Sequence, residues 1–125
     1  MMGWYNVPVD HISVWDNDIL KTGKKHFKFI MTPHVHHWDS MMIFEENSKS
    51  LFTSDLFIQP GNNKSVTSDD YSESMINLYR NTGIFAGEKP VRNTKKDLLN
   101  YHQIWYIPCM VHVLTSRYFQ SMLKL

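Results

Sequence analysis

Three histidines and an aspartate stand within six residues of one short segment: His34, His36, His37 and Asp39. A second carboxylate, Asp55, follows an apolar stretch further along the chain. Imidazole and carboxylate are donors that zinc, iron and manganese all accept in proteins. The pattern therefore predicts a site for a divalent metal. The alternative is a solvated loop whose histidines form only local hydrogen bonds.

The strands that would present these side chains can be read from the apolar pattern. Three strands are predicted in this part of the chain, over residues 26–31, 41–44 and 50–54. The last two form a hairpin, and Asp55 comes directly after it. Loops at strand ends are where a rigid scaffold usually carries its functional residues. If the histidine segment is extended, His34 and His36 point to one side and His37 to the other.

The rest of the chain predicts mixed secondary structure. The further predicted elements are a strand over 11–15, a helix from Thr67 to about Asn81, a second helix from Asn93 or Thr94, a strand over 104–107 and a final helix from Thr115 or Ser116. Gly83 is expected to end the first helix. This order is typical of an α/β or α+β domain with a mixed, mostly antiparallel sheet.

Residues 26–58 resemble the metallo-β-lactamase superfamily, in particular its flavodiiron and oxygen-binding diiron branch. The shared pattern is Thr-Pro-x-x-His, then Asp-Ser-Met, an apolar strand, a turn and Leu-Phe-x-x-Asp. In that family the histidine binds metal and the last aspartate bridges two metals. The resemblance implies that His36 is the metal histidine, with His37 as the alternative one residue on, and that Asp55 is the bridging carboxylate.

The resemblance also implies a fold and shows what the chain lacks. The family fold is a four-layer αββα sandwich whose first half carries a His-x-[His/Glu]-x-Asp-His motif, and no such motif is present here. We therefore expect residues 1–125 to be a single domain resembling the C-terminal half, truncated or degenerate, with helices on one face of the sheet. The family's last metal histidine usually lies in a Pro-x-His-Gly turn. Here Met110 falls near that position, Cys109 is a possible substitute, and His112 is a ligand only if the loop is remodelled.

Composition excludes several classes of partner. The chain has 125 residues, 42% of them hydrophobic, and a formal net charge of +1. A balanced charge argues against nucleic acid or an anionic membrane as the partner. No apolar run approaches the roughly 20 residues of a membrane span. The single cysteine and the absence of a signal-peptide pattern favour the cytoplasm.

Two functional hypotheses follow. In the first, the chain belongs to a metal-dependent hydrolase or diiron oxidoreductase that holds iron, zinc or manganese through His36, His37, Asp55, His34 and His112, with missing ligands supplied by another chain. In the second, it is a non-catalytic half-domain that acts by association. Half of a sandwich exposes an apolar sheet face, so a homo-oligomer or a partner chain is expected to cover it.

Overall fold

The computed structural model describes residues 12–58, 66–67, 69–101, 104–108 and 113–115, the last of these by backbone alone. The strands are β1 (Ile19–Thr22), β2 (Lys25–Met31), β3 (Met41–Glu45), β4 (Ser50–Ser54), β5 (Val66–Thr67), β6 (Trp105–Pro108) and β7 (Val113–Thr115), and the helices are α1 (Ser72–Thr82) and α2 (Glu88–Leu98). All the described strands belong to one sheet, in the order β1-β2-β3-β4-β6-β7-β5.

The sheet combines a local meander with a long crossover. Strands β1 to β4 pair antiparallel with their neighbours in sequence. The chain then passes through both helices before β6 pairs parallel with β4, with Ser50 opposite Trp105 and Leu51 opposite Tyr106. Parallel strands require such a crossover, which is commonly helical. β3 and β4 are thus interior strands of the sheet, and residues 43–45 and 50–52 are paired on both sides.

The two helices and one face of the sheet enclose the core. Met42, Leu51 and Tyr106 are at most 1% exposed, and Met75 of α1 and Leu98 of α2 belong to the same buried cluster. Side chains alternate along each strand, so every second residue faces these helices and its neighbours face away. Neither described helix is long and apolar enough to cross a membrane.

The helix ends follow simple local rules. Gly83 ends α1 in the left-handed conformation with φ 60°, and its N–H donates to the Tyr79 carbonyl. Helix α2 follows Gly87 directly and contains Pro90 in its first turn. Proline is tolerated there because the first N–H groups of a helix have no partner within it.

The predicted α/β fold with a mixed sheet is confirmed, and several boundaries need correction. The three strands around the histidine segment, their hairpin and the end of α1 at Gly83 all agree with the expectation. The strand predicted over 11–15 is wrong for its described residues 12–15, which form no strand. Thr67 lies in β5 rather than capping α1, and α2 begins at Glu88 rather than at Asn93 or Thr94. Thr115, one of the two predicted starts of the final helix, lies in β7, and the other residues of that helix lie outside the described residues.

Candidate metal centre

The loop of residues 32–40, here called the histidine loop, joins β2 to β3 and begins with a tight turn. The Val35 N–H donates to the Thr32 carbonyl over 3.0 Å. Pro33 is the second residue of this turn, and His34, with φ 66°, is the third. Proline followed by a residue with positive φ is the pattern of a type II turn. His34 therefore shapes the turn that leads into the rest of the loop.

The second half of the histidine loop brings two imidazoles side by side. The ring centroids of His36 and His37 lie 4.3 Å apart, with their planes tilted by 58°. Ser40 holds this half in place: its hydroxyl accepts the His37 N–H over 3.0 Å, and its carbonyl accepts the Thr32 N–H over 2.9 Å. The Nδ1 atom of His36 lies 3.0 Å from the carbonyl oxygen of Ile84, between α1 and α2. Ser40 belongs to the Asp-Ser-Met pattern, but that pattern did not indicate its role in holding the loop. No sequence pattern indicated Ile84.

Asp55 is presented by a second tight turn, residues 53–56, here called the aspartate turn. The Leu56 N–H donates to the Thr53 carbonyl over 3.1 Å, and the Thr53 hydroxyl donates to the Leu56 carbonyl over 2.8 Å. Both of these residues are buried, and Ser54 between them has φ 53°. The turn is therefore anchored in the core at both ends, while the Asp55 side chain remains 25% exposed.

His36, His37 and Asp55 form one cluster, called the ligand cluster below. Each offers one metal-ligating atom, and these atoms all lie within 4.8 Å of one another. The Nε2 atom of His36 is 3.9 Å from Oδ2 of Asp55. Within the described part of the chain, no other group of three or more histidine, cysteine or acidic side chains comes this close together.

The other predicted ligands are placed differently. His34 is exposed and does not belong to the ligand cluster. The segment is not extended, because both His34 and His36 have positive φ, so the condition under which these two side chains would share a side is not met. His37 joins His36 instead. Three residues of the last predicted ligand region lie outside the described residues: Cys109, Met110 and His112.

The ligand cluster fits a single divalent metal ion. Two imidazole nitrogens and one carboxylate oxygen are a known donor set of catalytic zinc sites, which keep a further position for water. Bonds of about 2.0–2.2 Å at tetrahedral angles put ligand atoms roughly 3.4 Å apart. The observed 3.9 Å between His36 and Asp55 is a few tenths of an ångström wider. Three ligands are too few for two metals, so a dinuclear centre would need additional donors.

A cavity of about 300 Å³ lies elsewhere and contains none of these ligands. It is bounded by the start of the histidine loop and by α2, and includes Asp16 and Asp97. Desolvation, and then the nearby Asp16 carboxylate, raise the pKa of Asp97. Asp16 already accepts the Met31 N–H over 2.9 Å. Asp16 therefore has a hydrogen-bonding role in the fold, and the cavity lining contains no histidine or cysteine.

Solved structures with the same architecture include proteins described as diiron or flavodiiron. A chemotaxis sensor described as an ODP peroxy-diiron species superposes with a TM-score of 0.72 at 14% identity, over 86% of this chain and 47% of that chain. Rubredoxin oxygen:oxidoreductase from Desulfovibrio gigas gives 0.74 at 16% identity, over 97% and 31%. The flavodiiron protein from Giardia intestinalis gives 0.68 at 19% identity, over 90% and 29%. The fold is therefore that of the metallo-β-lactamase-like domain of flavodiiron proteins, and the chain covers only part of each relative.

The sequence itself identifies the family within that class. The model of the ODP family beta lactamases matches residues 3–108, and the chain belongs to this family. No curated protein matches the sequence. The chain spans about half the length of the sensor structure and under a third of the two larger proteins, since it covers 47%, 31% and 29% of them.

Proposed function

We propose that this chain contributes the ligands His36, His37 and Asp55 to the metal site of a diiron-type oxidoreductase or metal-dependent hydrolase. The remaining ligands come from another chain or from residues outside those described. One observation supports this proposal above all. The histidine loop and the aspartate turn are separate in sequence, yet the ligand atoms of His36, His37 and Asp55 lie within 4.8 Å of one another.

The chemistry of each ligand follows from its environment. A bound iron, zinc or manganese ion would supply Lewis acidity and, for iron, redox capacity. The Asp55 carboxylate would offset the charge of the ion, and the two imidazoles would orient it. The side chains of His36 and Asp55 are 34% and 25% exposed, so small molecules in solution can reach them. At the same time both are held by hydrogen-bonded turns, which limits the reorganisation needed on binding.

The test is metal content per chain after loading with Fe²⁺, Zn²⁺ or Mn²⁺, measured by elemental mass spectrometry. The informative variants are His36→Asn and Asp55→Asn. His34→Asn is a matched control, because His34 and His36 both have positive φ, 66° and 75°, and asparagine tolerates that conformation. We expect stoichiometric metal in the native chain and in His34→Asn, and its loss in the other two variants.

Two results would contradict the proposal. One is equal metal content in all four proteins, which would place any bound ion elsewhere. The other is the absence of bound metal from the native chain under every loading condition, including in the presence of a separately produced chain that carries the family's His-x-[His/Glu]-x-Asp-His half. Circular dichroism of each variant shows whether the fold is retained.

A second candidate function is association through the sheet face opposite the helices. Residues Phe29, Ile43, Phe52 and Ile107 pair in one row across β2, β3, β4 and β6. Trp105 lies on the same face, two residues before Ile107. Phe52 is 41% and Trp105 is 44% exposed, which is unusual for aromatic residues on central strands, whereas Phe29 at the β2 end of the row is buried. We call this surface the open face. It favours a partner chain or a second copy as its cover, whether or not metal is bound.

A further inference from the structure

The hydrogen bond between His36 and Ile84 joins the histidine loop to the helical layer. Nδ1 of His36 lies 3.0 Å from the Ile84 carbonyl oxygen. A carbonyl oxygen can only accept, so Nδ1 must carry the proton. In the neutral ring the other nitrogen, Nε2, then has a free lone pair. This is the nitrogen that faces Asp55 across 3.9 Å.

An electron-rich nitrogen facing a carboxylate is a poor arrangement without a cation. The separation of 3.9 Å exceeds hydrogen-bond length. Metal-binding histidines usually donate their second ring N–H to a carbonyl or carboxylate, which fixes the tautomer and the direction of the ring. The contact to Ile84 has this form. It therefore prepares Nε2 of His36 to act as a ligand.

The position of the Ile84 carbonyl is itself well defined. Ile84 lies in the segment of residues 83–87, here called the interhelix turn. Gly83 begins it in the left-handed conformation, with its N–H bonded to the Tyr79 carbonyl over 3.1 Å. Phe85 packs edge-on against the Tyr79 ring, with centroids 4.7 Å apart. Tyr79 in turn packs on the buried core that includes Leu56 of the aspartate turn.

We infer that the interhelix turn is a positioning element for the ligand cluster: the Ile84 carbonyl selects the His36 tautomer that presents Nε2 to Asp55. The role of this turn in metal binding rests on the proposed function, whereas the tautomer of His36 follows from its hydrogen bond to Ile84 alone. No ring contact or sequence motif marks Ile84, because its contribution comes from the backbone.

The direct test is ¹⁵N nuclear magnetic resonance of the full, metal-free chain at mildly alkaline pH. Two-bond ¹H–¹⁵N correlations distinguish the two neutral tautomers, and His36→Asn assigns the His36 signals by their disappearance. We expect the Nδ1-protonated form at His36. His34, whose side chain is exposed, should show the Nε2-protonated form that free histidine favours. An Nε2-protonated His36 would overturn the inference.

Gly83→Ala and Gly23→Ala form a matched pair for the role of the turn. Their φ values are 60° and 58°, and a Cβ atom at either position would meet nothing within 4 Å. Both variants therefore introduce the same local strain, but only Gly83 adjoins Ile84. We expect Gly83→Ala to shift His36 toward the other tautomer and to weaken Zn²⁺ affinity about 10-fold to 100-fold, the usual cost of losing such a support. Gly23→Ala should change neither.

The outcomes separate the two proposals. Unchanged tautomer populations in Gly83→Ala would remove the positioning role, even if the chain binds metal. An Nδ1-protonated His36 that shifts in Gly83→Ala, in a chain that binds no metal under any of the loading conditions given above, would support the positioning role and contradict the proposed function. Phe85→Leu is a second variant, which removes the ring contact with Tyr79 without straining the backbone. It replaces Gly83→Ala in the test if that variant folds poorly.

Discussion

Left-handed backbone is concentrated in the two turns that carry the candidate ligands. Six described non-glycine residues have positive φ, and four of them lie in or directly beside these turns: His34, His36, Ser54 and Phe57. Such a conformation costs roughly 1–2 kcal/mol for a residue with a side chain. It persists only where surrounding contacts impose it, and it is common at functional sites. The backbone strain thus supports the same location as the ligand geometry.

At the residue scale, the sequence could predict donors but not their supports. The motif halves around His36 and Asp55 were visible because both follow recognisable strands. The choice between His36 and His37 could not be made from spacing, and the structure brings both into the cluster. The Ile84 contact could not be predicted because it joins residues far apart in the chain through a backbone atom. The prediction that these residues bind metal awaits measurement.

Glu45 is a buried carboxylate that serves the β3–β4 hairpin rather than the ligand cluster. It accepts hydrogen bonds from the Ser48 hydroxyl, the Ser48 N–H at 2.8 Å and the Asn47 N–H at 3.1 Å, and it pairs with Lys25 at 3.1 Å. The Ser48 hydroxyl bond, followed by these other partners, lowers the pKa of Glu45 to about 2 despite the opposing effect of burial.

We predict a pH-dependent loss of stability in Glu45→Gln. A carboxylate with a lowered pKa in the folded state stabilises it fully above its ordinary value of 4.5, and this contribution disappears as the pH falls toward about 2. The native chain should therefore be more stable than Glu45→Gln at neutral pH, and the difference should shrink between pH 4.5 and about 2. Urea unfolding across this range measures it. A difference that is constant with pH would show that Glu45 acts through packing alone.

At the element scale, local patterns predicted the meander well and the crossover poorly. Strands β2, β3 and β4 have clear apolar patterns, and Gly83 marks the end of α1. Thr67 resembled a helix cap, but Val66 and Thr67 pair with β7, a contact between distant segments. The predicted start of α2 at Asn93 or Thr94 was too late, because the helix begins at Glu88 and includes Pro90, which fits the first helical turn. Errors arose where long-range pairing or a permissive helix position outweighed the local signal.

The docking of α2 on the sheet provides a matched test of the core. Leu98 is 2% exposed and belongs to the buried cluster, whereas its neighbour Leu99 is 46% exposed. Leu98→Ala should lower the free energy of unfolding by about 2–5 kcal/mol, because it leaves a cavity. Leu99→Ala should change it by no more than about 0.5 kcal/mol. Chemical unfolding with unchanged m-values measures both. Equal losses would show that α2 does not pack as described.

At the scale of the whole molecule, the described chain is one sheet with helices on a single face. Helices cover the side that contains Met42 and Leu51, while the open face carries Phe52 and Trp105 at 41% and 44% exposure. The described fold is part of a larger structure in the solved relatives, since this chain covers 47% of one of them and 29% of another. An apolar surface of this kind favours association.

We predict that substitutions on the open face reduce association without unfolding the chain. Phe52→Thr and Trp105→Thr keep β-forming residues on their strands and remove exposed aromatic area. Trp15→Thr is the control, because Trp15 is 74% exposed and lies outside the sheet. Sedimentation or light scattering should show a lower average mass for the first two variants only. If all three variants keep the native mass, the open face is not the contact surface.

The parallel pairing of β4 with β6 has a consequence for the order of folding. Strands β1 to β4 follow one another in the sequence and can pair early. Ser50 can pair with Trp105 only when the segment between them, which contains both helices, has brought β6 back to β4. His36 belongs to the early meander, Asp55 opens the crossover and Ile84 lies within it. The complete arrangement of the three groups should therefore form only when the crossover is in place. We expect Zn²⁺ to leave the refolding rate nearly unchanged and to slow unfolding, as a ligand does when it binds only after the rate-limiting barrier.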